Sequence, residues 1–501
     1  MKSSQRYRFV LCLLALVVII SGSSALATAK TILRVGCQPS NTLDPHFIAN
    51  ISDILISEQM YHHLTFIDTS NKPVPDLATS WSSTDGKVWT FKLASGILFS
   101  NGKPVTAEDV VFSYNRLRDP KVGAPTTVLY KAVADIKAID SHTVQFTLSQ
   151  PNPEFPSDVG DYHANIIPAN TADPVKKSIG SGPFMIKSYS SEDRMVLQKN
   201  PHFIGKVAVD EIHFIFSPDL GGQIEALRGS QLEFVGGLTT EFAEVLKKDP
   251  NTKLLSNSSN MHYAIHMRSE TGRVAADNRV RKALKLATDH QSLINAARPG
   301  MAAMGNGFTP VGPSYGDLHL AETPVPNLEK AKALLAEAGF AKGLTIDLVA
   351  QNQLDVIPIA TVWKEQMAKI GVTVNIQVIP TDVYYSDGEN SWLKCEFGIT
   401  DWGSRATPVT YFKLAYVGNG PWSSSHWQDA EFDALVNQVS TEMDGKKRAE
   451  LYKKLQRILI DRGPVIVPYF EKAVAGVSKK LNGVTLPSDW ARTRFWNATM
   501  N

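Results

Sequence analysis

Between Pro73 and Leu117 the hydrophobic pattern of the chain changes period, and that change constrains the fold more than any other stretch does. Asp85-Gly86 is a hairpin-turn signal, because glycine accepts positive φ at no steric cost. Trp89, Phe91 and Leu93 then alternate with Val88, Thr90 and Lys92, the pattern of a strand with one buried face. Asn101-Gly102 marks a second turn. Thr106 followed by Asp109 predicts a helix N-cap with an acid in the first turn, where the helix dipole favours negative charge. Val110, Val111, Tyr114 and Leu117 then recur at helical spacing.

Other segments repeat this mixture. Thr31 to Val35, Met185 to Tyr189, Val209 to Phe216 and Met261 to His266 predict strands. Val280, Ala283, Leu284 and Ala287 share one helix face. So do Leu328, Ala331, Leu335 and Ala338, behind Asn327 as N-cap and ahead of Gly339. Phe432, Leu435, Val436 and Val439 predict a third helix, and Leu451, Leu455, Ile458 and Leu459 a fourth, stopped at Gly463-Pro464. Strands interleaved with helices predict an α/β chain.

The 501 residues suffice for two or three domains, and 51 basic against 49 acidic side chains leave a net charge of +2. Such a balance argues against nucleic acid or an anionic membrane as the main partner. Residues 1–27 carry the marks of a secretory leader: Lys2, Arg6 and Arg8, an apolar run from Phe9 to Ile20, then small residues around Ala25-Leu26-Ala27. The apolar run is too short to span a bilayer, and with no cysteine at the cleavage site a lipid anchor is not expected. Cys12 lies within the leader. Cys37 and Cys395 remain, either paired after export or as two buried thiols.

The enzyme signatures fail. There is no His-Glu-x-x-His, Gly-x-Ser-x-Gly, phosphate loop, dinucleotide fingerprint or Cys-x-x-Cys. An exported hydrolase whose triad assembles from distant residues stays open as an alternative. His62-His63 and the His262/His266 pair are the metal cues, but the second pair lies on an alternating strand with no suitably spaced carboxylates, so neither a metal nor a cofactor is expected.

The residues from Pro73 onward also resemble a known family. Leu77-Ala78-Thr79-Ser80-Trp81, Asp85-Gly86 with Phe91 and Leu93, Phe99, Gly102, Pro104, and Thr106-Ala107-Glu108-Asp109-Val110-Val111-Phe112-Ser113 follow the pattern of the extracellular solute-binding proteins of peptide and nickel ABC importers. Gly180-Ser181-Gly182-Pro183-Phe184, Val280-Arg281-Lys282-Ala283-Leu284 and Ala331 to Phe340 resemble further segments of that family. The resemblance implies a bilobal periplasmic-binding-protein fold with an additional domain inserted in the first lobe. Residues 30–71, 181–266 and 480–501 would form lobe one, 72–180 the extra domain and 267–479 lobe two. It implies a monomer that captures a small solute by hinge closure and hands it to membrane permease subunits, with no enzymatic activity. Opines, nickel chelates and oligosaccharides are other ligands the family holds.

The same resemblance places a cleft at Thr400-Asp401-Trp402-Gly403-Ser404-Arg405. In the peptide binders the position three after the tryptophan is an acid that pairs with the peptide amine. Here it is Arg405, which reverses the charge. A guanidinium fork suits a carboxylate or phosphate, so Arg405 points either to an anionic group on the ligand or to an internal acid such as Asp401. Trp402 joins it as a cleft residue, and Tyr263, His266 and Asn41 are expected lining residues where the lobes meet. Tyr411, Phe412, Tyr416, Trp422 and Trp427 could stack on a ligand or serve as core.

Overall fold

The computed structural model describes residues 30–501 apart from 49, 128, 354 and 387. The expected leader, residues 1–27 with Cys12, lies outside the described residues.

The strand-turn-helix pattern folds as its periodicity requires. Strand Val88–Leu93 buries Trp89, Phe91 and Leu93 and turns Val88 and Lys92 outward. Its turn has Gly86 at φ +68°, and Asp85 Oδ1 accepts the amides of Lys87 and Val88, side-chain support typical of Asp in turns. Helix Ala107–Arg118 begins where the Thr106 amide donates to Asp109 Oδ2 at 2.7 Å, and it buries Val110, Tyr114 and Leu117. The strand lies in a four-stranded antiparallel sheet, ordered Ala78–Ser82, Val88–Leu93, Thr143–Leu148, Val133–Asp140. Phe91, Tyr114, Phe146 and Phe155 lock the core in edge-to-face contacts, such as Tyr114 on Phe146 at 5.1 Å.

A twelve-stranded sheet carries the rest of the chain. At one end, Ile32–Cys37 pairs in parallel with Glu211–Phe216 and Phe234–Gly236. At the other, Leu344–Gln351 pairs in parallel with Val372–Ile379 and Phe397–Trp402. Two antiparallel strands, Thr252–Met267 and Phe470–Ser478, cross between the ends. Hydrophobic cores separate accordingly. Leu33, Phe184, Phe214, Ala475 and Phe495 share one core, and Ile265, Leu284, Leu348, Trp363 and Phe397 share another. The inserted sheet has a third.

Along the crossing strands, Tyr263 packs in the second core and Ala473, Ala475 and Val477 pack in the first. The ladder between the two strands is regular up to Ser258 and resumes at His262. A register break of this kind is where a strand can bend.

The four helices read from periodicity are present at Asn278–Ala287, Leu328–Glu337, Ala430–Val439 and Gly445–Arg462. Asn327 caps the second by accepting the Lys330 amide, and Gly339 leaves it at φ +94°. Cys37 and Cys395 are both free and buried in separate cores, one in each lobe, so the pairing alternative does not hold.

Candidate functional site

The ends of the parallel strands and the two crossings converge on a cavity of about 290 Å³. Crevices outside the carboxyl ends of parallel strands are where open α/β sheets place ligands. Lobe one contributes Gly36, Cys37 and Gln38 from the end of its first strand, and Gly236 to Leu238. The crossings contribute Ser259, Met261 and Glu471, and lobe two contributes Arg298. Trp490 closes one wall, and a Cβ on Gly236 would come within 2.1 Å of its ring, so only glycine fits that strand end. A broader hollow of about 730 Å³ lies between two surface helices, lined by Gln438, Lys447, Glu450 and Lys454. Neither hollow is lined by any of the expected residues Arg405, Trp402, Asp401, Tyr263, His266 or Asn41.

Arg405 sits beside the register break. Its backbone is fastened on three sides: its amide donates to Tyr411 Oη at 3.1 Å, and its carbonyl accepts from Asn260 Nδ2 at 3.1 Å and Tyr315 Oη at 2.8 Å. Asn260 is fully buried within the break itself. The guanidinium is half-buried and bonds only to the Ser404 carbonyl, at 3.1 Å; among the described residues no carboxylate pairs with it. The internal partner Asp401 is therefore engaged elsewhere: its Oδ1 accepts from Gln351 Nε2 at 2.7 Å and from the Tyr385 hydroxyl. Buried His262 is pushed down to about 4, first by desolvation and further by the Arg405 charge. That charge also reaches Tyr162, which packs against Ile48, Ile54 and Ala491 in lobe one.

Trp402 is 5% exposed and packs against Tyr411 and Trp422 at ring separations of 5.8 and 5.9 Å. Trp422 is the exposed member of the aromatic group, at 39%, while Tyr411, Phe412, Tyr416 and Trp427 are core. The chain from Phe412 to Tyr416 is a π-helical turn, a local widening that recurs at functional sites. Tyr263 is buried, and its hydroxyl donates to Asp355 Oδ2 at 3.3 Å. His266 does not face the cleft. It is 3% exposed inside lobe two, with its ring beside Cys395 Sγ at 3.5 Å and Thr400 Oγ1 at 3.4 Å. The reason is strand alternation: His266 faces away from the side on which Tyr263 and Ile265 build the core. Asn41 is exposed in the loop after the first strand, which is tied down by its amide donating to Asp53 Oδ1 at 2.9 Å.

The sequence reading missed Arg298, Asp355 and Glu471. Arg298 Nε donates to Asp355 Oδ2 at 2.8 Å, and its Nη2 lies 3.3 Å from Glu471 Oε2. The readable signal was Glu471 itself, which with Lys472 puts charge at the start of a largely apolar strand. No group of three or more His, Cys, Asp or Glu side chains among the described residues could hold a metal ion.

Two lobes hinged on a pair of crossing strands, with a cavity at the crossing, define a solute-binding protein. The chain belongs to the bacterial extracellular solute-binding proteins, family 5, whose middle region it matches over residues 72–424. This is a family of binding proteins, not enzymes. The periplasmic oligopeptide-binding protein OppA of Salmonella typhimurium is 26% identical over 493 residues, covering 89% of this chain and 88% of that protein. Two solved structures share the fold. The ABC transporter substrate-binding protein CtaP of Listeria monocytogenes superposes with TM-score 0.82 at 22% identity, covering 94% of this chain and 99% of its own. AgaA of A. tumefaciens R10, solved with agropinic acid, superposes with TM-score 0.73 at 23% identity, covering 94% and 99%.

Proposed function

We propose that this chain is a periplasmic receptor of an ABC importer that closes on a peptide or related small solute and holds an anionic group of that solute on Arg405. The observation that carries this reading is a guanidinium whose backbone is pinned on three sides while its charge meets no carboxylate among the described residues. A fixed, unpaired fork is preorganised for a carboxylate or phosphate. The opine-type reading gains support from the AgaA complex with agropinic acid, and the peptide reading from OppA. The leader-like residues 1–27 and the periplasmic location named for OppA support export. No helix among the described residues is long and apolar enough to cross a membrane.

Closure would bring lobe one onto Trp402, Asp401 and Arg405, bending at the register break between Ser258 and His262. The solute drives it by binding the closed state more tightly than the open one. Family membership supports delivery of the solute to a membrane permease.

The test is a thermal-shift screen against peptides, opines and sugar phosphates, followed by calorimetry. A solute at a hundred times its Kd adds about 2.7 kcal/mol of stability. Arg405→Ala should weaken an anionic solute by about 2–5 kcal/mol. Full affinity in that variant would refute the role of Arg405.

A further inference from the structure

The inserted domain touches lobe two as well as the lobe it interrupts. Glu154 stands at the N-terminal end of the short helix Phe155–Asp158, and Phe155 and Val159 beside it belong to the core of the inserted domain. The Glu154 carboxylate reaches out of that domain. Its Oε1 accepts from the Tyr452 hydroxyl at 2.8 Å and lies 3.6 Å from Arg448 Nε, both on helix Gly445–Arg462 of lobe two. Thr407 and Lys413, also of lobe two, act on the same carboxylate. Tyr452 is fully buried and the Glu154 side chain is 10% exposed, so water is largely excluded from the pair. Burial pushes the Glu154 carboxyl above the usual range against the pull of all four groups.

The contact extends beyond one hydrogen bond. Lys413, on the π-helical turn, lies in the fields of both Asp158 and Glu154. Met443, in the loop ahead of helix Gly445–Arg462, packs on the core of the inserted domain. A Cβ on Gly86 would lie 2.8 Å from Met443 Sδ, so the glycine of the hairpin turn also makes room for Met443. Arg448 holds that loop through Nη1, which donates to the Glu442 carbonyl at 3.0 Å. The inserted domain is in turn fastened to lobe one, where Arg494 Nη1 and Nη2 donate to the two oxygens of Asp76, each at 2.9 Å. Side chains thus join lobe one, the inserted domain and lobe two in series, apart from the two crossing strands. The strands alone do not fix an angle, because their ladder breaks between Ser258 and His262. Asn71 Nδ2 also donates to a lobe-two carbonyl, that of Ser314 at 2.9 Å, but Ser314 bonds to Asn260 within the break, so this bond sits at the bend itself.

We propose that the inserted domain braces the two lobes, and that the contact of Glu154 and Met443 with their partners across the interface fixes the angle at which the ligand-free lobes rest. Rotation about the crossing strands shears any contact away from the bend, so closure must loosen this one. The solute supplies the energy by favouring the closed state. A contact that only filled space would need no carboxylate buried against its own preference, since an apolar pair there would be at least as stable. The inference rests on the lobes rotating about the crossing strands to close on a solute, but not on the role of Arg405.

The experiment uses the full mature chain with dyes on two introduced cysteines, Ile139→Cys in the inserted domain and Val325→Cys in lobe two, at positions 55% and 75% exposed. Cys37 and Cys395 are buried and do not compete for the dyes. Single-molecule energy transfer reads the distribution of interlobe distance without a solute, then with a pool of dipeptides, tripeptides, opines and sugar phosphates. The parent chain should give one narrow ligand-free peak. Tyr452→Phe removes only the hydroxyl and keeps the ring against Phe412, and Met443→Ala removes the apolar half of the contact. Each should broaden the ligand-free peak about twofold, because released lobes sample more angles. Glu154→Ala should broaden it further, whereas Glu154→Gln, which keeps an acceptor for Tyr452, should stay near the parent width. A parent peak as broad as those of the variants overturns the proposal and leaves the receptor reading standing. So does a peak that stays narrow in every variant yet moves with the pool. A narrow peak that neither the variants nor the pool change sinks both.

Discussion

Replacing Arg494 with alanine tests how the inserted domain is held to lobe one. The Arg494 side chain donates from Nε to Glu58 Oε2 at 2.9 Å and from Nη1 and Nη2 to the two oxygens of Asp76, each at 2.9 Å. Glu58 lies in helix Ile51–Met60, Asp76 enters the inserted domain and Arg494 belongs to the C-terminal tail, so one guanidinium ties three segments. The plane of Arg494 stacks on Phe66 at 4.0 Å and on Trp496 at 4.2 Å. Both carboxylates are almost completely buried, at 0% and 4%. Truncation leaves Glu58 with Arg492, at 2.8 Å, but leaves Asp76 with no arginine, only the His63 amide at 2.8 Å and the rings of His62 and His63 at 4.0 and 3.7 Å. Breaking a buried pair from one side costs about 3–5 kcal/mol. At about 2–4 °C per kcal/mol, the transition of lobe one should fall by roughly 10 °C at pH 7. Burial opposes ionisation, but the arginines hold both carboxyls below the usual range. Depressed carboxylates give stability that is present above about pH 4 and is lost as pH falls through their native values. The gap between wild type and variant should therefore hold from neutrality down to about pH 4 and shrink as pH falls further. Thermal melts by circular dichroism at about pH 7 and about pH 3 measure it. A variant within about 2 °C of wild type at pH 7, against the full cost of a broken buried pair, would refute the reasoning. Arg494→Met combined with Asp76→Asn should recover part of the loss, because no buried charge is then unpaired.

Asp158, where the inserted domain meets Lys413 of lobe two, is pushed up to about 7 by burial and by the nearby Glu154 charge. The native state then keeps a proton that the unfolded chain loses from about pH 4 upward, so stability falls as pH rises toward 7. Asp158→Asn should flatten that dependence, gaining on wild type in urea midpoint at pH 8 but not at pH 4; equal gains at both would count against it. Cys37 and Cys395, both pushed up to about 12 by burial, should resist a thiol reagent in the native protein and react together on denaturation; rapid native labelling of either would contradict their placement. Gly180→Ala would set a Cβ 1.9 Å from the Met60 carbonyl oxygen, and the backbone must shift at a cost of about 3 kcal/mol, seen as a lowered denaturation midpoint.

The local elements were legible because their signals are local. The turn at Asp85-Gly86, the buried face of Trp89, Phe91 and Leu93, and the Thr106/Asp109 helix start depend on neighbours within one strand or one turn. The charge reversal at Arg405 beside Trp402 was legible for the same reason, since both stand in one short segment at a strand end. His266 was misplaced because alternation says that two faces exist, not that both are covered, one by the core around Ile265 and the other by Cys395 and Thr400. Arg298 and Asp355 were missed because they lie 57 residues apart and meet only after the sheet has formed.

The sequence alone determined an α/β chain, its family and a charge reversal beside Trp402, since period and motif are properties of adjacent residues. Tertiary structure decided what those residues do. Folding engaged Asp401 with Gln351 and Tyr385, and so left Arg405 without a carboxylate among the described residues. It also gathered Asp355 and Glu471 around a single Arg298. Whether a charge is spent inside the protein or offered to a ligand depends on distances across the fold, and no stretch of sequence contains those.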